Sequence, residues 1–391
     1  MNKISYLLLL LIIFTGNFAF SQSYKKIHNK AIVVDSHNDV PSFVIELNLA
    51  FDSDLYGKTY SDIFRLKKGG VDVQIFSIFC DGDQTNPYQW ANREIDSVYA
   101  WVDRNPDKMM LVTNPAELQQ AVKEKKIAAM LGVEGGHMIE DDISKIDSLY
   151  NRGVRYMTLT WNNSTNWATS AAEETLLNDS FTNKGLTDKG IEIVKKMNAL
   201  GMLVDVSHVG EQTFRDVIQN TTKPIIASHS CVYSLCPHPR NLKDNQIQQI
   251  AKNGGVIQLN FYSIFLDSTY SAKADIFLAN HQQELDSMVA KNMYAFTAEY
   301  YLGKKYHEEF DSIRPPLSLL MDHLDYIVNL VGVDYVGLGS DFDGINTTPL
   351  GLDGAEDFPL ITKELVARGY SVTDINKILG GNFIRVFEAN Q

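Results

Sequence analysis

The chain lacks three features that would each define a class of protein. Only three cysteines occur in 391 residues, which excludes a disulfide-dense scaffold, so the fold has to rest on its own hydrophobic core. Of these, Cys231 and Cys236 are close enough in sequence for a local disulfide, and Cys80 lies far away. No Lys/Arg-rich run is present and the net charge is −13, so we do not expect nucleic acid as a partner. After Tyr24 there is no low-complexity stretch or linker, which predicts one domain.

The first 21 residues are typical of a secretory signal peptide. Lys3 is followed by an apolar run at residues 6–14, which is too short to span a bilayer. Ala19 and Ser21 form a small-residue pattern that predicts cleavage after Ser21. We therefore expect an exported protein, periplasmic or extracellular, whose mature domain is residues 22–391 and has no stable membrane span. An uncleaved membrane anchor is the alternative.

Eight short apolar runs alternate with amphipathic stretches. Apolar runs of this length are typical of strands buried on both faces, as in parallel sheets. They lie at residues 31–35, 71–79, 127–133, 156–160, 202–206, 224–227, 255–260 and 335–338. Helix-like sequence lies at residues 117–126, 144–151, 186–200, 211–220 and 241–252. This alternation predicts an α/β fold, a (β/α)8 TIM-type barrel. A doubly wound open sheet is the alternative, although no G-x-G-x-x-G motif follows the first run.

One segment interrupts the alternation. Residues 262–316, between the seventh and eighth predicted strands, are about twice as long as a normal crossover and rich in Tyr and Phe. We expect an extra helical insertion here. The sequence leaves open whether it forms a lid over the barrel mouth or a contact between two copies in a homodimer.

Histidines and carboxylates follow five of the eight apolar runs. A single histidine at a strand end is usually a hydrogen-bonded polar group and not a metal ligand. In a barrel, however, these five strand ends would meet at the face where active sites lie. His37 and Asp39 are two apart and would point to the same side of an extended strand. Glu134, His208 and His229 follow three other runs, and Glu134 can bridge two cations. Three histidines and two carboxylates predict a two-metal site with ligands that suit Zn²⁺.

Two further carboxylates lie next to these groups. Asp35 and Asp205 precede candidate ligands by two or three residues. Either could hold a metal-binding histidine in place, or be a polar group at a strand end. His238, which lies in a predicted loop, is interpreted as structural.

At these residues the sequence resembles the membrane dipeptidase (renal dipeptidase) family, zinc metallopeptidases of the amidohydrolase-type barrel. The resemblance extends from Ile27 to Phe387. The motifs that carry it occur in the same order in the chain, and they are VVDSHNDVP at 33–41, GVEGGH at 132–137, SHS at 228–230, PRN at 239–241 and GSDFDG at 339–344.

The resemblance implies a division of roles among the site residues. One zinc ion would be held by His37 and Asp39, a second by His208 and His229, and both would be bridged by Glu134. Asp341 would act on the catalytic water and the leaving amine, and Arg240 would bind the terminal carboxylate of the substrate. Elementary chemistry agrees, because two bridged cations lower the pKa of a shared water, a nearby carboxylate can move its proton, and arginine binds carboxylates with a planar fork.

The chain departs from the family pattern at one position. Renal-type enzymes have a histidine in Leu-Thr-His after the fourth strand, where this chain has Leu159-Thr160-Trp161. That histidine contacts the substrate carbonyl. Trp161 could replace it with its indole N–H, or could form an aromatic wall.

We therefore expect an exported zinc dipeptidase that hydrolyses dipeptides, with L,L- and L,D-dipeptides as candidates, by a metal-bridged hydroxide. One alternative is another two-metal amidohydrolase that acts on lactones, cyclic amides or phosphotriesters. Many of those bridge their metals with a carboxylated lysine on the fourth strand, which has no lysine here. Another alternative is a binding barrel without activity, which would be favoured if metal ligands were missing.

Overall fold

The computed structural model describes residues 24–177, 184–291 and 293–391. The predicted signal peptide lies outside the described residues. A short helix covers residues 24–28. Within the described residues, no helix combines the length and apolar character that a bilayer span requires.

Eight parallel strands form a nearly closed barrel, which confirms the predicted fold. The strands in chain order are β1 (Val34–Asn38), β2 (Val73–Phe79), β3 (Met109–Leu111), β4 (Ile127–Glu134), β5 (Val154–Thr158), β6 (Leu203–Asp205), β7 (Ile226–Ala227), β8 (Val256–Leu259) and β9 (Val336–Leu338). They pair in the order β1-β2-β4-β5-β6-β7-β8-β9, and β3 pairs with β4 outside this path. A bridge between Asn38 and Phe342 joins the first strand to the segment after the last.

Helices follow the strands and surround the barrel. In chain order they are α1 (Val40–Glu46), α2 (Ile63–Lys68), α3 (Pro87–Arg104), α4 (Pro115–Lys123), α5 (Ser144–Asn151), α6 (Ala171–Leu177), α7 (Asp188–Leu200), α8 (Glu211–Asn220), α9 (Asp244–Asn253), α10 (Ser263–Leu266), α11 (Tyr270–Asn280), α12 (Gln282–Val289), α13 (Ala295–Lys305), α14 (His307–Asp311), α15 (Leu317–Val331), α16 (Phe358–Ala367), α17 (Val372–Asn376) and α18 (Asn382–Asn390).

Local sequence explains where these elements begin and end. All eight residues of β4 are buried, because in a parallel barrel helices cover the outer face and side chains fill the interior. The side chain of Thr187 caps α7 by accepting a hydrogen bond from the backbone of Gly190. The same helix ends at Gly201, which has a left-handed conformation (φ 79°) that glycine adopts without steric cost.

The helical insertion between the seventh and eighth barrel strands is also confirmed. Helices α10 to α14 lie between β8 and α15. Four buried side chains form a small hydrophobic core of their own there, apart from the main core, and they are Phe277, Leu285, Ala298 and Leu302. Whether the insertion acts as a lid or as a homodimer contact stays a prediction.

The first strand and the cysteines differ from the sequence-based expectation. The first strand covers residues 34–38 instead of 31–35, so His37 lies within the strand. The local disulfide does not form, because Cys231 and Cys236 are buried free thiols. The Cys231 thiol donates to the Asn260 carbonyl (3.2 Å), and the Cys236 thiol donates to the Ile264 carbonyl (3.3 Å).

Candidate active site

The barrel brings together all five predicted metal ligands. His37 lies in β1, Asp39 follows that strand, and Glu134 is the last residue of β4. His208 and His229 follow β6 and β7. Each of these side chains is buried, because the carboxyl ends of parallel barrel strands converge on one enclosed mouth.

Glu134 lies between two groups of imidazoles. Its Oε2 atom is 3.4 Å from Nε2 of His37, and its Oε1 atom is 2.9 Å from Nε2 of His208 and 3.4 Å from Nε2 of His229. The Oδ2 atom of Asp39 is 3.4 Å from the same nitrogen of His37. The two oxygens of this carboxylate therefore contact different imidazoles, and the ligand atoms of His37, Glu134 and His229 all lie within 4.8 Å of one another.

Hydrogen bonds at Nδ1, the ring nitrogen that does not face Glu134, determine the tautomers of these histidines. The Tyr156 hydroxyl donates to the Ser36 carbonyl (3.2 Å) and is 2.7 Å from Nδ1 of His37, so it accepts the proton of that nitrogen. Nδ1 of His208 is 3.2 Å from Oδ1 of Asn162, an acceptor. In both rings Nδ1 carries a hydrogen, so Nε2 is the atom left to bind a metal ion in the neutral form of the ring.

His229 is held in the same way through a serine. The Ser228 hydroxyl donates to Oδ2 of Asp205 (2.6 Å) and lies 2.8 Å from Nδ1 of His229. Asp205 also accepts the backbone N–H of Ser228 (2.9 Å). Asp205 therefore holds His229 in place through Ser228, which favours the first of the two interpretations of this carboxylate, a support for a metal-binding histidine. Second-layer contacts of this kind orient ligating imidazoles.

Asp35 has a different partner. It accepts hydrogen bonds from the backbone N–H and the hydroxyl of Ser340 (both 2.7 Å) and from Gln74 (3.1 Å). Burial raises the pKa of Asp35 to about 6. Its carboxylate holds the residue that precedes Asp341, and its contact with His37 is made to the backbone of that residue.

Tyr156, which holds His37, depends on the absence of a side chain at Gly132. The two residues are direct partners across β4 and β5. A Cβ atom at position 132 would lie 2.1 Å from Cζ of the Tyr156 ring, far inside van der Waals contact. The Tyr156 ring occupies the space that a side chain at position 132 would fill, and its hydroxyl contacts Nδ1 of His37.

The residues present fit a metal centre. Nε2 of His37 and Oδ1 of Asp39 are buried without a hydrogen-bond partner among the described residues, which is costly unless a cation is bound. The Nε2 atoms of His208 and His229 are 3.0 Å apart and both carry lone pairs. Burial and the nearby charges of His37 and Arg240 lower the pKa of His229 well below its usual value, so protonation does not relieve this contact.

Asp341 lies beside the same ligands. Its Oδ1 atom is 3.9 Å from Nε2 of His37, and its Oδ2 atom accepts a hydrogen bond from the Asn260 amide (2.7 Å). Burial and the charge of Asp39 raise its pKa well above the usual range. Asp341 and His208 have positive φ values of 63° and 64°, a strained conformation that concentrates at functional sites.

A cavity of about 470 Å³ opens above these residues. Arg240 lines it and is 94% buried, and its Nη2 atom donates to the His229 carbonyl (3.1 Å). Its Nε atom has no hydrogen-bond partner in the described part of the chain. The guanidinium therefore has capacity for a further acceptor, such as a carboxylate.

Trp161 lines the same cavity and is half-buried. Its ring centroid is 5.0 Å from that of Phe79 and 6.4 Å from that of His208. The structure thus brings Trp161 to the mouth where the sequence placed it. Whether it binds substrate stays a prediction.

The model of the membrane dipeptidase family (peptidase family M19) matches residues 21–391, nearly the whole chain. The chain belongs to this family. Because this is a family of metallo-dipeptidases, the protein is classed as a peptide hydrolase.

Solved structures share the fold of this family member. The probable dipeptidase PvdM from Pseudomonas aeruginosa has a TM-score of 0.78 and 24% identity, over 95% of this chain and 98% of that chain. A metallopeptidase from Rhodobacter sphaeroides, liganded with a phosphinate mimic of the dipeptide L-Ala-D-Ala, has a TM-score of 0.73 and 21% identity, over 93% and 100%. An amidohydrolase from Pseudomonas aeruginosa has a TM-score of 0.70 and 21% identity, over 94% and 98%.

Four residues of this dipeptidase-family site carried no sequence signal or were interpreted otherwise. Tyr156 reads as an ordinary strand residue, Asn162 reads as a loop polar group, and Asn260 reads as the last residue of the predicted strand 255–260. His238 was interpreted as structural, but it lines the cavity, and its Nδ1 atom accepts the backbone N–H of Arg240 (3.2 Å). Of the four, only Asn162 and Asn260, which lie just after β5 and β8, have a position that could have indicated a role.

Proposed function

We propose that this chain is an exported, zinc-dependent dipeptidase that hydrolyses L,L- and L,D-dipeptides at a two-metal centre. One observation carries the proposal above all others. The two oxygens of Glu134 face His37 on one side and the His208–His229 pair on the other, at 2.9 to 3.4 Å.

The ligand set supports two zinc ions. His37 and Asp39 would hold one ion, His208 and His229 the other, and Glu134 would bridge them. Neutral imidazoles and carboxylates are ligands that Zn²⁺ accepts. Ions bound there would polarise the scissile carbonyl and lower the pKa of a coordinated water.

The side chains around this centre supply binding and proton transfer. The free Nε of Arg240 would bind the terminal carboxylate of the dipeptide, so that the scissile bond lies over the centre. Asp341 would take the proton of the attacking water and deliver it to the leaving amine, a role that requires a pKa raised toward neutrality. The Asn260 amide would hold the Asp341 carboxylate in position during this transfer.

Two finer parts of the proposal have separate support. Export is supported by the basic residue, apolar run and small-residue pattern of residues 1–21. An L,D-dipeptide is supported by the structurally similar metallopeptidase that is liganded with a mimic of L-Ala-D-Ala. The cavity volume of about 470 Å³ lies in the range of small-molecule sites.

The test is turnover of a panel of L,L- and L,D-dipeptides by the purified protein, with added Zn²⁺ and after treatment with a chelator. We expect cleavage that the chelator abolishes and Zn²⁺ restores, and two zinc ions per chain by elemental analysis. Absence of dipeptide cleavage with any divalent metal would refute the proposal. Cleavage of a lactone, cyclic amide or phosphotriester instead would favour the other amidohydrolase activities.

A further inference from the structure

The cavity carries opposite charges on opposite sides of the barrel mouth. Glu46 ends α1 and Asp81 follows β2, so both belong to the connections after the first two barrel strands. Arg240 follows β7, the sixth barrel strand. In an eight-stranded barrel the second and sixth strands face each other across the axis. The cavity therefore has a carboxylate side and a guanidinium side.

The two sides also differ in depth. Glu46 and Asp81 are exposed and lie at the rim, whereas Asp39, Glu134 and Asp341 are buried at the floor. A substrate whose carboxylate binds the buried Arg240 has its scissile carbonyl at the floor. Its α-ammonium is bonded one carbon away and stays near the floor. The rim carboxylates are left for a longer group.

No cation neutralises the rim carboxylates within the described ranges. Partial burial and the charge of Asp81 raise the pKa of Glu46 to about 7. Burial and the charge of Asp83 raise the pKa of Asp81. Both carboxylates also raise the pKa of Tyr294, which lines the same cavity. The electrostatic field at this side of the rim thus favours a positive charge.

An aromatic wall lies on the same side. Phe79, at the end of β2, and Trp161, after β5, both line the cavity with ring centroids 5.0 Å apart. Aromatic faces attract ammonium and guanidinium groups. Long basic side chains place an apolar stem on such surfaces and keep the charged head in water.

We propose that this enzyme prefers dipeptides whose N-terminal residue has a cationic side chain, lysine or arginine. The stem of that side chain lies along Phe79 and Trp161, and its head lies between the carboxylates of Glu46 and Asp81. This inference rests on the proposed dipeptidase function and names its substrate class.

The experiment compares substrates that differ only in this charge. Lys-Ala and norleucine-Ala have N-terminal stems of equal length, and Ala-Lys and Ala-norleucine place the same charge at the other end. At pH 8, where Glu46 is ionised, we expect kcat/KM of the wild type to favour Lys-Ala over norleucine-Ala by about tenfold, the scale of two exposed ion pairs and a cation–π contact. Ala-Lys should gain no such advantage over Ala-norleucine.

Variants identify the groups responsible. In Glu46→Gln/Asp81→Asn we expect the preference for Lys-Ala to fall to about two- to fivefold, the remainder that a cation–π contact allows. Each single variant should lose part of it. The matched control is Glu388→Gln, an exposed carboxylate of α18 that does not line the cavity, and it should keep the full preference. Because the preference is a ratio, a variant that is partly unfolded still reports it.

Three outcomes would overturn the inference. The wild type could cleave Lys-Ala and norleucine-Ala equally well, or the preference could persist in the double variant. The double variant could also lose equal activity on both substrates, which would mean that the carboxylates act on the α-ammonium or on the fold. A wild type that cleaves no dipeptide would instead refute the proposed function, and this inference with it.

Discussion

Replacing Asp341 by asparagine tests whether this carboxylate moves the proton or binds a metal. The question arises because ligand atoms of His37, Asp39 and Asp341 all lie within 4.8 Å of one another, close enough to hold one ion. Asparagine is suitable because it tolerates the positive φ of 63° at this position. Its amide oxygen can still accept the hydrogen bond from Asn260.

A lost general acid/base costs about 10²–10⁴ in rate, and the lower end corresponds to about 2.7 kcal/mol of the activation barrier. We therefore expect Asp341→Asn to lower kcat at least about 10²-fold while the protein retains both metal ions. The assay combines the kcat for dipeptide hydrolysis with elemental analysis of the same preparation. Loss of an ion together with activity would make Asp341 a ligand, and unchanged kcat would place the proton carrier elsewhere.

The control for this variant is Asp343→Asn, at a neighbouring position with the same backbone conformation. Asp343 has a φ of 65° and accepts hydrogen bonds from the backbone of Tyr60 (2.6 Å) and from the backbone (3.1 Å) and hydroxyl (2.6 Å) of Ser61. An amide has one acceptor oxygen and cannot replace both carboxylate oxygens. We expect a lower melting temperature and only a small change in kcat, so a similar kcat loss in both variants would contradict a specific role for Asp341.

Three other substitutions test the remaining site residues. Glu134→Ala should lose metal as well as activity, because the two oxygens of the Glu134 carboxylate contact different ligand imidazoles; elemental analysis that still finds two ions would refute the bridging role. Arg240→Ala should raise KM for free dipeptides by at least about tenfold, since a charge-assisted contact contributes about 1.5–3 kcal/mol, and should matter little for C-terminally amidated ones; equal losses on both would indicate a structural arginine. Trp161→Phe should lower kcat by about 10²-fold, with KM little changed, if the indole N–H stabilises the developing oxyanion. A wild-type rate in that variant, together with an unstable or promiscuous Trp161→Ala variant, would leave Trp161 with a role in the cavity wall and none in stabilising the oxyanion.

The sequence predicted the barrel because its strands are buried on both faces and therefore differ sharply from their surroundings. Four of the five predicted helices begin within two residues of α4, α5, α7 and α8, and the fifth was placed three residues before the start of α9. The first strand was placed three residues too early, because His37 and Asn38 are polar and a pattern of apolar residues ends before them. The three-residue strand β3 is too short to give a pattern.

The candidate site was predictable to the extent that its residues follow strands. His37, Glu134 and His229 come together because barrel topology makes strand ends converge. The residues that hold them could not be predicted in the same way. Tyr156 is an ordinary strand residue by type, and only the side of the pleat that it occupies aims its hydroxyl at His37. The free state of Cys231 and Cys236 depends on backbone carbonyls that lie near them only in the folded chain.

The contact between Gly132 and Tyr156 has a consequence for how this sequence can change over generations. Position 132 is buried within β4. Alanine is only one methyl group larger than glycine, so this substitution would appear conservative. Its methyl group would nevertheless displace the phenol ring and, through the ring, the imidazole of His37. The tolerance of the metal centre to mutation is therefore limited by a layer beneath it, and a compensating change would have to remove volume from the tyrosine at the same time.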